Sequence, residues 1–289
     1  GFKVDYHDQN DKKLKISGES IQKNKKYIDL RDMFPLAYDQ KKLHSSTACA
    51  VASVIEYNQI YNKENVTFKP SIMGIYYLSR LLDDNINKND GTSIRNTLKQ
   101  INRYGVVEDK LYPYNVGNFD SKPPMKNSYY KHEISYKRVN RDIDSFKACL
   151  TMKKPIIFGF TVYESFINDL KWSTDCSMPK PKSHEKVIGL QTAVCVGYSE
   201  KRKEFLIRNS WGSHWKNKGY FFMPYRYFTS KNCDNFWTFD IKIRDNFEFF
   251  QEDDLIDTKE HSPSTKETHT HTHRDTHRKR KKKKKETKK

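Results

Sequence analysis

The sequence predicts an α+β protein of two lobes, helical in its N-terminal half and strand-rich in its C-terminal half. Two observations carry this. From Thr47 to Tyr61 the apolar residues recur every three to four positions, the period of a helix. Beyond Pro123-Pro124 that period gives way to short, branched apolar runs such as Ile156-Ile157-Phe158-Gly159-Phe160-Thr161-Val162, which have the length and composition of a buried strand.

Taken in order, residues 1–26 are polar and lysine-rich and are expected to be a flexible arm. Order should begin at Tyr27-Ile28-Asp29-Leu30-Arg31 and continue through Met33-Phe34-Pro35. The first helix is predicted from Thr47 to Tyr61, amphipathic, with Ala48, Val51, Ala52 and Ile55 inward and Ser45 or Ser46 as its N-cap. A second is predicted from Ser71 to Leu82 after Pro70. A third runs from Thr92 or Ser93 through Ile101 and closes near Gly105. Asp142 to Met152 reads as a fourth, with Ile143, Phe146, Cys149 and Leu150 inward. Strands are predicted from Ile156 to Val162, Gly189 to Tyr198, Lys203 to Arg208, Gly219 to Met223 and Phe236 to Ile243.

A chain of 289 residues with this apolar content can bury a substantial core. No apolar run approaches the length of a membrane span, so none is expected. The chain begins at Gly1 with neither Met nor a charged-then-apolar leader, as a processed chain would. Its five cysteines are scattered and odd in number, which favours a reducing compartment, or at most one or two bridges; a reducing intracellular compartment, nucleus or virion is expected rather than secretion. Asn65-Val66-Thr67 fits a glycosylation sequon, a pattern common by chance.

Half of the net charge of +18 sits at one end. From Thr258 onward thirteen Lys or Arg face four acids, a balance of +9. Residues 251–289 have too little apolar surface to offset their ordering entropy and are expected to be disordered, leaving 27–250 as the folded domain. His269, His271, His273 and His277 alternate in a way that can converge on a metal, but nothing holds them in place; no metal or cofactor is expected. The block Arg278 to Lys285 suits nucleic acid or an acidic partner, without base stacking, since no aromatic residue is interleaved.

Function is written in an ordered series of short motifs. Asn209-Ser210-Trp211-Gly212 follows the apolar run Phe205-Leu206-Ile207. Before it come Asp29-Leu30-Arg31, Asp39-Gln40, Ser45-Ser46-Thr47-Ala48, Tyr104-Gly105-Val106, Tyr112-Pro113-Tyr114, Phe158-Gly159-Phe160 and Gly197-Tyr198; Gly219-Tyr220-Phe221 comes after. Together these resemble the papain family of cysteine peptidases, and most of all its divergent branch in bacteria and large DNA viruses. The resemblance spans roughly residues 27 to 243. It implies a two-lobed papain-like fold with a helical N-terminal lobe and a β-barrel-like C-terminal lobe.

In that family a thiolate at a helix N-terminus attacks, a His moves the proton, an Asn orients the His, and a Gln helps hold the oxyanion. The resemblance puts Gln40 at the oxyanion position and Asn209 at the orienting position, with Trp211 shielding the latter. The nucleophile position, six residues after Gln40, is Ser46 rather than Cys. The base position, in the apolar run before Gly197-Tyr198, is Gln191, whose amide accepts no proton near neutral pH. Loss of a nucleophile–base unit costs on the order of 10⁶-fold in subtilisin. The expectation is therefore an inactive pseudopeptidase with a binding or structural role, taking peptides or proteins in its cleft.

Two other readings stay open. One is an active peptidase using Ser46 or Cys49, with His184 or His44 weighed as its base, while His214, close behind Trp211, reads as a surface residue. The other is a nucleic-acid-associated structural or packaging protein acting through its tail. The loop from Asp84 to Gly91 holds a single glycine where relatives carry a glycine-rich substrate-binding turn, which counts against peptide binding.

Overall fold

The computed structural model describes residues 1–6, 8–17, 25–64, 67–124, 129–130 and 132–243. In chain order these form β1 (Phe2–Lys3), β2 (Tyr27–Asp29), α1 (Ser46–Asn62), α2 (Ile72–Leu82), β3 (Thr92–Ser93), α3 (Ile94–Tyr104), β4 (Val106–Val107), β5 (Tyr129–Tyr130) and β6 (His132–Arg138). There follow α4 (Ile143–Thr151), β7 (Ile156–Tyr163), α5 (Glu164–Ile167), β8 (Val187–Ser199), β9 (Glu204–Arg208), β10 (Tyr220–Pro224), α6 (Tyr225–Phe228) and β11 (Cys233–Ile243). The expected tail, with its histidine run and polybasic block, and Asn65-Val66 of the sequon lie outside the described residues.

The second half of the chain folds as one seven-stranded sheet in the order β10-β9-β8-β7-β11-β6, with β2 also pairing with β8. All of its pairs are antiparallel. Strand β8 is buried from Gln191 to Ser199, where β7 and β9 flank it. Pairing with β9 starts only at Val194, so Val187, Ile188 and Leu190 overhang and stay exposed.

Helix ends follow local chemistry. Ser71, Ser93 and Asp142 each cap a helix, their side chains accepting from the backbone N–H of Gly74 (3.0 Å), Asn96 (3.2 Å) and Ser145 (2.7 Å). Helix α1 departs from the sequence reading in two ways. Ser45 occupies the N-cap position, yet its hydroxyl bonds Tyr114 Oη at 2.7 Å and caps nothing. The helix is also not amphipathic in its surroundings. From Ser46 to Gln59 every residue but Glu56 is buried, because α2 and α3 cover one side and β8 and β11 the other. Two of its polar residues bond within the helix, Ser53 Oγ donating to Ala50 O at 2.8 Å and Asn58 Nδ2 to Val54 O at 2.9 Å, while Gln59 Nε2 is buried without a partner.

The N-terminal arm is the main correction. Over its described residues it is a strap packed on the domain. β1 pairs in parallel with β3, the Phe2 ring lies on Gly159 of β7, and Leu14 is buried. The anchors are charged. Asp5 accepts from Trp237 Nε1 at 3.0 Å and from the backbone N–H of Arg95 at 3.3 Å. Asp11 is gripped by Arg95 (2.7 Å) and Arg138 (2.6 Å). Sequence reading missed this because the apolar Val4 and Tyr6 face solvent while Asp5 is buried.

Candidate active site

Two chain segments meet edge to edge and fix the site. Asp39 bridges Trp211, Gln40 N–H donates to Ser210 O at 2.9 Å, and Gly212 N–H donates to Tyr38 O at 2.8 Å. The Asn209 N–H donates to Gly219 O at 2.9 Å. Gly219 has φ +88°, and a Cβ there would lie 2.2 Å from that of Ala37, so only glycine permits this approach.

Within this frame Gln40, Gln191, Asn209 and Ser210 form one buried cluster. Gln191 Nε2 donates to Gln40 Oε1 at 2.8 Å and lies 3.0 Å from Asn209 Oδ1 and 3.2 Å from Ser210 Oγ. Ser210 Oγ also donates to Gln40 Oε1 at 2.7 Å. With its oxygen held by two donors, the Gln40 amide turns its nitrogen to Leu43 O at 2.9 Å. Asn209 Nδ2 is buried without a partner, beside a small cavity lined by Tyr38, Cys49 and Ser53. Trp211 packs edge-on against Phe166 (5.4 Å) and Trp215 (5.1 Å), forming an aromatic wall next to Asn209.

Ser46 opens α1 and is fully buried. Its hydroxyl oxygen accepts from Thr192 N–H at 3.2 Å, so it touches the strand at the residue after Gln191. Thr47 and Thr192 join hydroxyls across the cleft at 2.7 Å. Thr47 Oγ1 also lies within hydrogen-bond reach of Thr92 O (3.1 Å) and Gly1 O (3.2 Å). The structure thus brings Gln40, Gln191 and Asn209 into one cluster, with Ser46 tied to the same strand.

The strap runs into this cleft. Gly1 nitrogen donates to Leu190 O at 3.0 Å, next to Gln191. Gly91, at φ +81°, ends the single-glycine loop so closely against Gly1 that any Cβ would fall 2.4 Å from its carbonyl. The other candidates lie apart. Cys49 sits one helical turn inside, buried, with Ser45 Oγ 4.0 Å from its sulfur, and burial pushes its thiol up to about 12. His44, His184 and His214 are exposed, and His184 bonds only its neighbour Ser183. Among the described residues no imidazole is bonded to Ser46 Oγ or Cys49 Sγ, and no three His, Cys, Asp or Glu cluster as metal ligands. No described helix is long and apolar enough to cross a membrane. All five cysteines are free.

Sequence reasoning missed Thr47, Thr192 and Ser210 as partners in the cleft, although Ser210 lies inside the Asn-Ser-Trp-Gly motif. It also missed the strap, whose contacts include partners 189 and 232 positions away in sequence.

A helix N-terminus facing an Asn-bearing wall across two lobes is the layout of a papain-type peptidase, and comparison with known proteins agrees. The profile of the papain family cysteine protease matches residues 25–238. The chain is 36% identical over 211 residues to an uncharacterized peptidase C1-like protein of Acanthamoeba polyphaga mimivirus, covering 69% of this chain and 68% of the viral protein. Xylellain, a cysteine protease from Xylella fastidiosa, superposes with a TM-score of 0.76 at 31% identity, over 84% of this chain and 96% of that one. A procathepsin B from Trypanosoma congolense shares the fold at TM-score 0.64 and 14% identity, over 81% and 83% of the two chains. The chain belongs to the papain family of cysteine proteases.

Proposed function

We propose that this family member is a pseudopeptidase, with Ser46 at the nucleophile position and Gln191 at the base position, and that its domain serves binding or a structural role. The observation that carries the reading is the bonding of Gln191. Its amide nitrogen takes the slot between Asn209 Oδ1 and Gln40 Oε1, where a base would be oriented. Nothing in that cluster exchanges a proton near neutral pH. General-base catalysis, worth about 10²–10⁴-fold, has no group to perform it. Gln40, the expected oxyanion donor, spends an N–H on Leu43 O.

Cys49 does not rescue the chemistry. A thiol pushed up to about 12 holds almost no thiolate at neutral pH, and it opens onto the core.

The double substitution Ser46→Cys with Gln191→His tests the position assignments. Hydrolysis of fluorogenic peptides should appear in the double variant and in neither single variant. Activity arising from Ser46→Cys alone would mean that another base serves the site and that Gln191 is misassigned.

A further inference from the structure

Away from the cleft, the segment from Met178 to Lys186 crosses the outer edge of the sheet, tied to β10 by Met178 N–H donating to Phe222 O at 2.9 Å. Between it and α6 lies a cavity of about 230 Å³ whose walls are mostly apolar, built from Pro179, Pro181, Pro224 and Tyr227. Lys180 and Arg226 stand exposed at its rim. Pro179 and Lys180 also wall a second cavity of about 420 Å³, which adds Lys171 and Lys182. The two therefore form one continuous groove.

Four cations, Lys171, Lys180, Lys182 and Arg226, face two carboxylates, Glu164 and Glu185, an excess of two positive charges. Glu185 spends its carboxylate on the backbone N–H groups of Ser165 and Lys182. Lys171, Lys180, Lys182 and Arg226 make no ion pair among the described residues. The segment lining the second cavity also leaves Ile167 53% and Leu170 92% exposed. The first cavity is apolar with Lys180 and Arg226 at its rim, and the groove as a whole holds more cations than carboxylates, which suits an extended acidic segment with large apolar side chains.

This chain contains such a segment. Residues 247–257 read Phe-Glu-Phe-Phe-Gln-Glu-Asp-Asp-Leu-Ile-Asp, with five acids, five large apolar residues and no base, in a protein of net charge +18. They follow the described domain directly. The groove meets β11 at its start, beside Asn232, and the described chain ends at Ile243. Ten strand steps, bulged between Asp234 and Trp237, put these points up to roughly 33 Å apart. Phe247, Phe249 and Phe250 lie four, six and seven residues past Ile243 and reach at most about 14, 22 and 25 Å. The aromatic part of the segment falls short of its own groove. It can enter that of a neighbouring copy.

We propose that residues 247–257 of one copy dock in the 178–186/224–232 groove of a second, so that the protein self-associates through an acidic aromatic segment. Reciprocal exchange closes a dimer.

Light scattering of the full chain over a concentration series, joined with fluorescence anisotropy of a labelled peptide of residues 245–258, tests this. The full chain should associate as concentration rises. Lys180→Glu with Arg226→Glu should leave a monomer, as should Phe249→Ser with Phe250→Ser. The peptide should bind the Phe249→Ser/Phe250→Ser protein, and the groove reversal or high salt should weaken that binding at least about tenfold. Lys180 and Arg226 are surface residues, so an unchanged circular dichroism spectrum verifies folding, and Lys180→Ala with Arg226→Ala provides a milder second variant. A full chain that stays monomeric, or peptide binding indifferent to both groove variants, overturns the proposal. A groove that takes an unrelated acidic peptide but not this one also overturns it and assigns the surface to a different partner.

Discussion

The cleft cluster and the anchors of the strap are both buried polar assemblies. They are built from opposite materials. Amides and hydroxyls tie Gln40, Gln191, Asn209 and Ser210 together, and none carries a charge. Asp11, Arg95 and Arg138 hold the strap through charges, whereas burial disfavours the charged form of Asp5. A neutral cluster is inexpensive to bury and indifferent to pH. A charged one costs several kcal/mol of desolvation per ion, so removing a single partner exposes that cost in full. The contrast teaches that the cleft is a settled structural feature and the strap a conditional one.

The largest effect should come from Asp11→Ala. It leaves Arg95 and Arg138 facing each other with side chains only 10% and 20% exposed, and urea titration should show a loss of about 3–5 kcal/mol. A loss below that of an ordinary surface substitution would mean that the strap is not held by this pair. Next should come Gln191→Leu. It strips Asn209 Oδ1 of its donor and Gln40 Oε1 of one of two, an expected cost of about 1–3 kcal/mol in the same titration.

A pH series separates the two assemblies. Burial raises the Asp5 carboxyl above its ordinary value of 3.8, against the pull of its bonds from Ser93 and Trp237 and the charge of Arg95. A carboxyl raised in the docked state binds protons more readily when docked, so docking strengthens as pH falls through the raised value and gains no more below 3.8. Hydrogen exchange of residues 1–6 should therefore slow on acidification through that window. Asp5→Asn should remove the dependence, and the backbone amides of Gln40 and Asn209 should show none beyond intrinsic exchange. Smallest should be Ser46→Ala, which removes only the acceptor for Thr192 N–H and should cost about 1 kcal/mol by thermal melting.

What was legible in the sequence was local. Ser71, Ser93 and Asp142 announce their helices because each cap bond closes within three residues. Gln40 and Asn209, which the structure brings into one cluster with Gln191, stood out because the short motifs Asp39-Gln40 and Asn209-Ser210-Trp211-Gly212 carry them. The environment of α1 was not legible: Thr47, Ser53 and Asn58 look like a solvent face, and only tertiary packing turns their hydroxyls and amide inward. Nor was the strap, since the bond between Asp5 and Trp237 joins residues 232 positions apart and no local pattern encodes it. The turn of Gln40 toward Leu43 depends on the two donors at its oxygen, which come from the other half of the chain.

The central claim is that the cleft carries no peptidase chemistry, and turnover measures it directly. The unmodified full chain and its Ser46→Ala variant should be incubated side by side with a broad fluorogenic peptide library across neutral and mildly acidic pH. Both are predicted to match buffer alone. Hydrolysis by the unmodified protein that Ser46→Ala abolishes would contradict the account.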